Sequence, residues 1–317
     1  MRRPPNFPGS SVATMTVSPA PGVDSAYPAA RRRAGLLVAA VLVTVAAWAS
    51  AFVAIRGVRG SFEPGALALG RLAVGAATLG VALLARRVWV RPSGREWALI
   101  AVCGVAWFAV YNVALNAAEQ RVDAGTAAML VNVGPVLIAL LAGALLGEGF
   151  PRWLLIGAGV AFSGAVLIGV ATTGGTGSDG TGILLCLLAA IAWAVGVMAQ
   201  KPALRRLPAL QVTAMACTIG ALACLPFAGQ MVADTRGASP GALAGLLYLG
   251  LVPTAVAFGT WAYALSAMTA GRLGVTTYLV PPLTILGAWP LLGEAPPPLA
   301  LAGGVLALLG VALTRRR

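Results

Sequence analysis

The sequence has no histidine and few charged residues of either sign. Asp, Glu, Lys and Arg together make up 10% of its 317 residues, whereas an ordinary soluble domain has roughly 25%. Hydrophobic residues make up 59%, and the mean hydropathy is +0.89. Because so little polar material could not cover the surface of a soluble fold of this length, the composition indicates a membrane protein.

The lack of histidine also restricts the chemistry of the chain. No two cysteines have the spacing of metal ligands, and all four lie inside apolar stretches, at Cys103, Cys186, Cys217 and Cys224. We therefore expect no metal, no cofactor and no disulfide framework, and interpret the cysteines as buried small hydrophobic side chains. A membrane enzyme would need a nucleophile with a base or clustered acids, so we predict no catalytic residue and no enzyme.

Acidic residues are scarce relative to basic ones. The chain has 9 Asp and Glu against 22 Lys and Arg, a formal net charge of +13. The arginines fall between apolar stretches rather than on one basic face, so the excess does not indicate nucleic-acid binding. Placing the amino terminus in the cytoplasm puts most basic residues on the inner side of the membrane. This pattern predicts a multi-pass protein of the cell (inner) membrane with both termini cytoplasmic.

Long charge-free runs are abundant. A run of about 20 apolar residues can span a bilayer as a helix, and one candidate over 65–85 is interrupted only by Arg71. The nine uninterrupted runs cover residues 34–55, 97–118, 124–147, 153–178, 180–200, 207–233, 237–271, 273–293 and 295–314. The sequence therefore predicts an all-α membrane protein with ten transmembrane helices, preceded by a disordered cytoplasmic tail over residues 1–30.

The second half of the sequence repeats the first. A shift of 146 residues places Pro135 on Pro281 and residues 145–148 on 291–294, where both copies read Leu-Leu-Gly-Glu. The chain is thus predicted to contain two five-helix units, over 34–171 (helices 1–5) and 180–314 (helices 6–10). Because five is an odd number of crossings, the second unit enters the membrane from the opposite side. Such inverted repeats are typical of secondary transporters with a central site.

The same residues resemble a known family. The resemblance rests on a series of short motifs: Trp48-Ala-Ser-Ala-Phe-Val-Ala-Ile, Glu63-Pro64 followed by Arg71, Ala124-Gly-Thr-Ala-Ala-Met, Pro135 and Gly147-Glu148. This pattern resembles the EamA repeat of the drug/metabolite transporter superfamily, and so does the second copy from Trp193 to Glu294. The resemblance implies a secondary carrier of the inner membrane, often an exporter of amino acids, related metabolites or small toxic compounds.

Helix breakers and charges within the spans are the first candidates for a site. Pro135 and Pro281 free backbone carbonyls inside the membrane, so they point either to the central site or to kinks that only shape packing. Glu148 and Glu294 stand at the ends of helices 4 and 9, where a cap or ion pair competes with proton coupling as an explanation. Arg71 lies inside helix 2 and either anchors the fold, with Glu63 as a possible partner, or binds an anionic substrate group.

Amides and aromatic residues within the spans are the second group of candidates. Asn112 and Asn116 share one face of helix 3, and Asn132 precedes Pro135; these amides either join helices or contact substrate. A shift of 145 residues places Trp48 on Trp193, so both should approach the axis that relates the two units. The remaining candidates for a substrate cavity are Trp261, Tyr263 and Tyr278.

Three functional hypotheses follow from these features. The first is a secondary transporter that exports small metabolites, such as amino acids, through a cavity bounded by helices 1, 3, 4, 6, 8 and 9. The others are a lipid-acting intramembrane enzyme and a non-transporting membrane scaffold. The expected partners are a small-molecule substrate and the lipid bilayer, with the protein a monomer or homodimer.

Overall fold

The computed structural model describes residues 23–121, 124–172, 180–292 and 298–314. Within these ranges the chain is helical and contains no strand. The chain divides into a short unit, Met1–Leu36, and a large unit, Leu37–Arg317. The first helix begins at Val23, inside the stretch predicted as a tail, whose first 22 residues lie outside the described ranges.

The α-helices are, in chain order, α1 (Val23–Val58), α2 (Pro64–Arg86), α3 (Gly94–Cys103), α4 (Tyr111–Glu119), α5 (Ala124–Val131), α6 (Gly134–Leu145), α7 (Arg152–Thr172), α8 (Gly180–Ala203), α9 (Ala209–Ala223), α10 (Ala228–Gly237), α11 (Pro240–Leu249), α12 (Ala257–Ala267), α13 (Ala270–Thr276), α14 (Val280–Leu292) and α15 (Pro298–Leu313). Two π-helical segments, Gly104–Val110 and Gly250–Val256, join α3 to α4 and α11 to α12. Two 3-10 turns occupy Leu225–Phe227 and Thr277–Leu279.

Among the residues that the structure describes, five helical stretches are long and apolar enough to cross a membrane: Arg31–Val58, Pro64–Arg86, Gly94–Glu119, Gly180–Ala203 and Pro240–Ala267. A sixth forms if α9 and Leu225–Gly237, which meet at 51°, are counted as one bent span. Many large apolar side chains point outward, as Leu84 does with 77% of its surface exposed. Exposed apolar surface on this scale is what a bilayer covers. The structure therefore supports an all-helical multi-pass protein, and the count of ten spans stays a prediction.

Local backbone features recur at the shift predicted from the sequence. The side chain of Ser93 caps the start of α3, and Ser239, 146 residues later, caps the start of α11. The two π-helical segments are also related by this shift, residue for residue. Seven-residue π-helices are rare. Their recurrence at the same shift shows that the two halves have the same backbone conformation in these segments.

The predicted fourth and ninth spans are both interrupted. The α-helix stops at Asn132 and Val133, between α5 and α6, and the Thr277–Leu279 turn separates α13 from α14. Asn132 and Tyr278 are again 146 residues apart. Pro135 and Pro281 stand in the first turns of α6 and α14, where a missing N–H disturbs the helix least. The prolines therefore mark where each broken helix restarts.

Helices α7 and α15 pack against each other through glycines. A Cβ atom placed on Gly164 would lie 2.5 Å from the backbone N of Ala307, and one on Gly157 would lie 2.6 Å from the carbonyl oxygen of Gly310. The later residue of α7 thus meets the earlier residue of α15, so the two helices run antiparallel. Small residues allow this close approach of backbones, which is a common way to join helices in a membrane.

Gly310→Ala is expected to destabilise the protein, because its Cβ would lie 2.3 Å from the backbone N of Ala161. Overpacking of this kind costs about 1–3 kcal/mol. Gly159→Ala, on α7, is the matched control because nothing lies within 4 Å of its added Cβ. Thermal unfolding in detergent should show a lower midpoint for Gly310→Ala alone. Equal midpoints for both variants would contradict the close crossing of α7 and α15.

Candidate functional site

One cavity in the large unit collects side chains from both halves of the chain. Its walls are formed by Trp48, Ala51, Phe52 and Ile55 of α1, Arg71 of α2, Trp107 of the first π-helical segment, Tyr111 and Leu115 of α4, Val131 and Asn132 at the α5–α6 break, Trp193 of α8, Phe258 of α12, and Thr277 and Val280 at the α13–α14 break. The centre of a water molecule can move through about 50 Å³ of it, where one water needs about 10–15 Å³. The cavity is therefore narrow, with an apolar wall and a few polar groups.

Four tryptophans from four helical segments form a cluster beside the cavity, and three of them, Trp48, Trp107 and Trp193, line it. Trp48, Trp107, Trp193 and Trp261 contact one another in all six pairings, with ring centroids 5.0 to 6.4 Å apart. Trp48 and Trp193, which the repeat places in equivalent positions, meet edge to face at 6.0 Å. The cluster thus joins residues of both halves of the chain.

Glycines make room for two of these rings. A Cβ on Gly134 would lie 2.6 Å from the Trp193 ring, and a Cβ on Gly196 would lie 2.4 Å from the Cβ of Trp107. Gly134 is the first residue of α6, immediately after the break at Asn132 and Val133. Trp193 therefore packs directly on the restart of the broken helix, which fixes the ring beside the cavity.

Arg71 is the cation of the site. It is 4% exposed, and its Nε donates a hydrogen bond to the hydroxyl oxygen of Thr254 at 3.2 Å. Thr254 lies in the second π-helical segment and donates in turn to the carbonyl oxygen of Leu249. The partner considered from the sequence, Glu63, is exposed, and its N–H bonds Asp234 instead. A guanidinium at the wall of an apolar cavity can attract an anionic group of a bound solute.

Glu119 is a buried acid that the sequence analysis did not select. It is the last residue of α4 and 4% exposed, and neither carboxylate oxygen has a hydrogen-bond partner. Its charge interacts with those of Arg71, Arg56 and Arg59. A charge-free run ends by definition at its first charged residue, so in the sequence Glu119 only marks the boundary of a span. Its spacing four residues after Leu115 would have placed it on the cavity face of the helix.

The three candidate amides are all buried, but they differ in their hydrogen-bond partners and in their position relative to the cavity. Asn132 lines the cavity and donates to the carbonyl oxygen of Ala128. The amide of Asn112 donates to Phe108 at 2.7 Å, a carbonyl within the first π-helical segment. The amide of Asn116 joins α4 to α2 through the carbonyl oxygen of Pro64 at 3.0 Å. Only Asn132 therefore stands directly on the cavity wall.

The other candidates lie around the cavity rather than on its wall. Pro135 and Pro281 are buried beside the two helix breaks, and Tyr278 is fully buried with no hydrogen-bond partner for its hydroxyl group. Trp261 belongs to the tryptophan cluster but does not line the cavity. Tyr263 is 37% exposed. It therefore lies at the surface of the described structure.

Glu148 links the broken helices at one end of the structure. Its carboxylate oxygens accept hydrogen bonds from the N–H groups of Ala270 at 2.7 Å and Gly271 at 3.1 Å, at the start of α13. The side chain of Glu148 thus caps the amino-terminal end of α13, in the second half of the chain, where a negative charge is favoured. Lys201 bonds the carbonyl oxygens of Leu265 and Met268 at the end of α12. Glu294, the repeat equivalent of Glu148, lies outside the described residues.

Comparison with known proteins agrees with this architecture. The model of the EamA-like transporter family matches the chain twice, over residues 35–170 and 180–316. One solved crystal structure superposes on this chain with a TM-score of 0.73. The match covers 88% of this chain and 96% of the other, at 24% sequence identity. At that identity the structural match supports the fold alone.

Two relatives have names that describe a substrate. A "probable terminal-alkyne amino-acid exporter" of Streptantibioticus cattleyicolor is 40% identical over 88% of this chain and 93% of its own length. A "probable amino-acid metabolite efflux pump" of Salmonella typhimurium is 26% identical over 59% of this chain and 66% of its own. An uncharacterized transporter of Bacillus subtilis is 33% identical over 84% and 87%. The two family matches together cover most of the sequence, and the chain belongs to the EamA-like transporter family.

Proposed function

We propose that the protein is a secondary transporter that exports amino acids or related small metabolites by alternating access. The observation that carries this proposal is the cavity beside two broken helices, with aromatic walls and one buried cation. Broken helices at a central cavity are the usual construction of a transporter site. The printed names of two relatives, an amino-acid exporter and an amino-acid metabolite efflux pump, support the substrate class and the direction.

The proposed topology is two inverted five-helix repeats, over 34–171 and 180–314, with both termini in the cytoplasm of an inner-membrane protein. Three observations support it: the antiparallel crossing of α7 and α15, the paired π-helical segments, and the paired breaks at Asn132 and Tyr278. In such a design, one repeat rocks against the other and opens the cavity to each side in turn. Each half would then supply one wall of a shared site.

Contacts at the two ends of the structure would be made and broken in each cycle. At one end, Arg206 forms an ion pair with Glu96 and bonds the carbonyl oxygen of Arg91. At the other end, the N–H of Glu63 bonds the carboxylate of Asp234 at 2.9 Å. Both sets of contacts join residues of the first matched region to residues of the second. Exposed pairs of this kind contribute little stability, so they can be exchanged at low cost.

The chemistry of the cavity suits a zwitterion with an apolar side chain. Arg71 would bind the carboxylate, and Trp48, Trp193 and Phe258 would surround the side chain. The space for water is about 50 Å³, so the helices must separate further to admit a whole amino acid. A lipid-acting enzyme and a scaffold, the other hypotheses from the sequence, are not favoured, because the family to which the chain belongs is a transporter family.

Transport by the purified protein tests this proposal. Proteoliposomes loaded with single radiolabelled amino acids, including L-propargylglycine as a terminal-alkyne amino acid, should lose label faster than protein-free liposomes. An excess of the same unlabelled amino acid should slow the loss by competing for one saturable cavity. If no member of the panel moves faster than in empty liposomes, under a proton, sodium or substrate gradient, the proposal is wrong.

A further inference from the structure

A groove at the surface of the large unit is separate from the central cavity. It runs between α1, α13 and α15, and its walls include Leu37 and Leu42 of α1, Arg272 of α13, Leu279 in the turn after α13, and Thr314 just after α15. The centre of a water molecule can move through about 380 Å³ of this groove, which is within the range of about 300–1,000 Å³ for small-molecule sites. None of its lining residues lines the central cavity. The groove therefore has room for a ligand of its own.

This groove lies where helices begin and end. The helix α13 begins at Ala270, two residues before Arg272, and α15 ends at Leu313. A charged, exposed side chain at a helix start belongs at the level of the lipid headgroups. On α1, Val38 and Leu42 are 55% and 57% exposed, so this apolar wall is open to the bilayer. The groove thus has a charged end at the membrane surface and an apolar part at the depth of acyl chains.

Arg272 is the cation of the groove. Its side chain is exposed, and no described residue forms an ion pair or a hydrogen bond with it. Two other charges lie nearby: Glu148 bonds the N–H groups at the start of α13, and Lys201 bonds the carbonyl oxygen of Met268, which also lines the groove. The charges of Glu148 and Lys201 interact with each other and have opposite signs. The charge of Arg272 therefore stays available, and its guanidinium has five N–H donors.

Another surface groove on α1 shows what this cation adds. It lies further along the helix, between Ala46 and Ala54, and also contacts Tyr248 of α11 and Leu283 of α14. The centre of a water molecule can move through about 460 Å³ of it, but none of its lining residues is charged. An uncharged groove holds acyl chains whatever their headgroup. A groove with a cation at its surface end selects among lipids by the charge of the headgroup.

We propose that the groove at Arg272 binds an anionic glycerophospholipid, with its phosphate on the guanidinium and one acyl chain along α1. A guanidinium can donate two parallel hydrogen bonds to a phosphate. In the proposed topology this end faces the cytoplasm, where basic pockets between membrane helices bind anionic headgroups. A phosphatidylcholine headgroup carries its own cation beside the phosphate, so Arg272 binds it less well. This inference goes beyond the proposed transport function and does not depend on it.

The bound lipid would also contact the interrupted ninth span. Leu279 lines the groove, whereas Thr277 and Val280, its near neighbours in the break between α13 and α14, line the central cavity. The lipid and the cavity therefore touch different faces of the same break. Because a ligand that binds only the folded protein stabilises it, an anionic lipid should raise the temperature at which the protein unfolds.

Native mass spectrometry of the purified full-length protein tests this site without any transport. Dioleoyl-phosphatidylglycerol and dioleoyl-phosphatidylcholine share their acyl chains, so at equal concentrations the wild type should retain more of the first. Arg272→Gln should bind phosphatidylglycerol about fivefold more weakly, which equals about 1 kcal/mol, the contribution of one basic residue near an anionic surface. Arg272→Lys should keep most of the preference. Arg86→Gln, at another exposed arginine, should keep all of it.

Thermal unfolding in detergent separates lipid binding from folding. Without lipid, the midpoints of the wild type, Arg272→Gln and Arg86→Gln should agree. Phosphatidylglycerol should raise the midpoint least in Arg272→Gln, and phosphatidylcholine should affect all three equally. The proposal would be overturned by equal affinity of the wild type for the two lipids, by full binding of phosphatidylglycerol to Arg272→Gln, or by an equal loss in Arg86→Gln. Displacement of the lipid by sn-glycerol 3-phosphate at the same concentration would also overturn it, because the groove would then recognise a soluble anion.

Discussion

Arg71→Met is expected to weaken transport by about one to two orders of magnitude at low substrate concentration, while the protein still inserts and folds in the membrane. Arg71 is the buried cation on the cavity wall, and its Nε bonds Thr254. Methionine keeps the apolar stem of the side chain but removes the guanidinium group that would bind a substrate carboxylate. Because a charge-assisted hydrogen bond of a guanidinium contributes about 1.5–3 kcal/mol, apparent affinity should fall by roughly one to two orders of magnitude.

The matched control is Arg86→Met, at the exposed end of the same helix. Both variants remove one arginine from α2, so a general effect of positive charge on membrane insertion would appear in both. Initial rates in proteoliposomes at low substrate concentration should fall in Arg71→Met alone, with equal amounts of each protein recovered from the membrane. Wild-type rates in Arg71→Met would show that the cation has a structural role only.

Arg71 and Glu119 should also depend on each other for stability. Both residues are buried and of opposite charge, so replacing one should leave the other less compensated, whereas replacing both should cost less than the sum of the two changes. Arg71→Met and Glu119→Gln should therefore each lower the midpoint of thermal unfolding, and the double variant should regain part of that loss. It should regain no transport. Strictly additive losses would mean that the two charges do not interact.

The sequence predicts the membrane class and the repeat, because the first depends on charge content over long stretches and the second on many residue matches at one shift. The lack of charge over 20 residues identifies α1 and α8, and a run broken only by Arg71 identifies α2. The repeat pairs Pro135 with Pro281, and in the structure these prolines stand at the starts of α6 and α14. The site is harder to predict, because its neighbours come from opposite halves. Trp48 and Trp193 could be paired through the repeat, but nothing in the sequence links them to Trp107 or Phe258.

Two parts of the site, the π-helical segments and the buried Glu119, cannot be recognised from composition. The seven-residue π-helical segments set the direction of Trp107 and of Thr254, and their sequences contain no signal for a π-helix other than their equivalence in the repeat. The sequence does not distinguish Glu119 from an ordinary boundary charge, because a charged residue there only marks where an apolar run ends. Only the packing of the whole fold shows that Glu119, at the end of a span, is buried rather than exposed.

Trp48→Phe is expected to raise the KM for export about fivefold and to leave the stability close to that of the wild type. Trp48 lines the cavity and is only half-buried, so its indole is available to a bound side chain. An aromatic contact is worth about 0.5–1.5 kcal/mol beyond its buried area, and about 1 kcal/mol corresponds to about a fivefold change in affinity.

The matched variant is Trp261→Phe, in the same cluster. Trp261 packs against Trp48, with ring centroids 5.0 Å apart and the rings tilted, but it is fully buried and does not line the cavity. Its substitution leaves a void in a closely packed cluster and should lower the unfolding midpoint, while KM stays near the wild-type value. Kinetics of amino-acid efflux and thermal unfolding of both variants separate contact with substrate from packing. If KM rises equally in the two variants, the cluster acts as one structural unit, and Trp48 has no separate role in substrate binding.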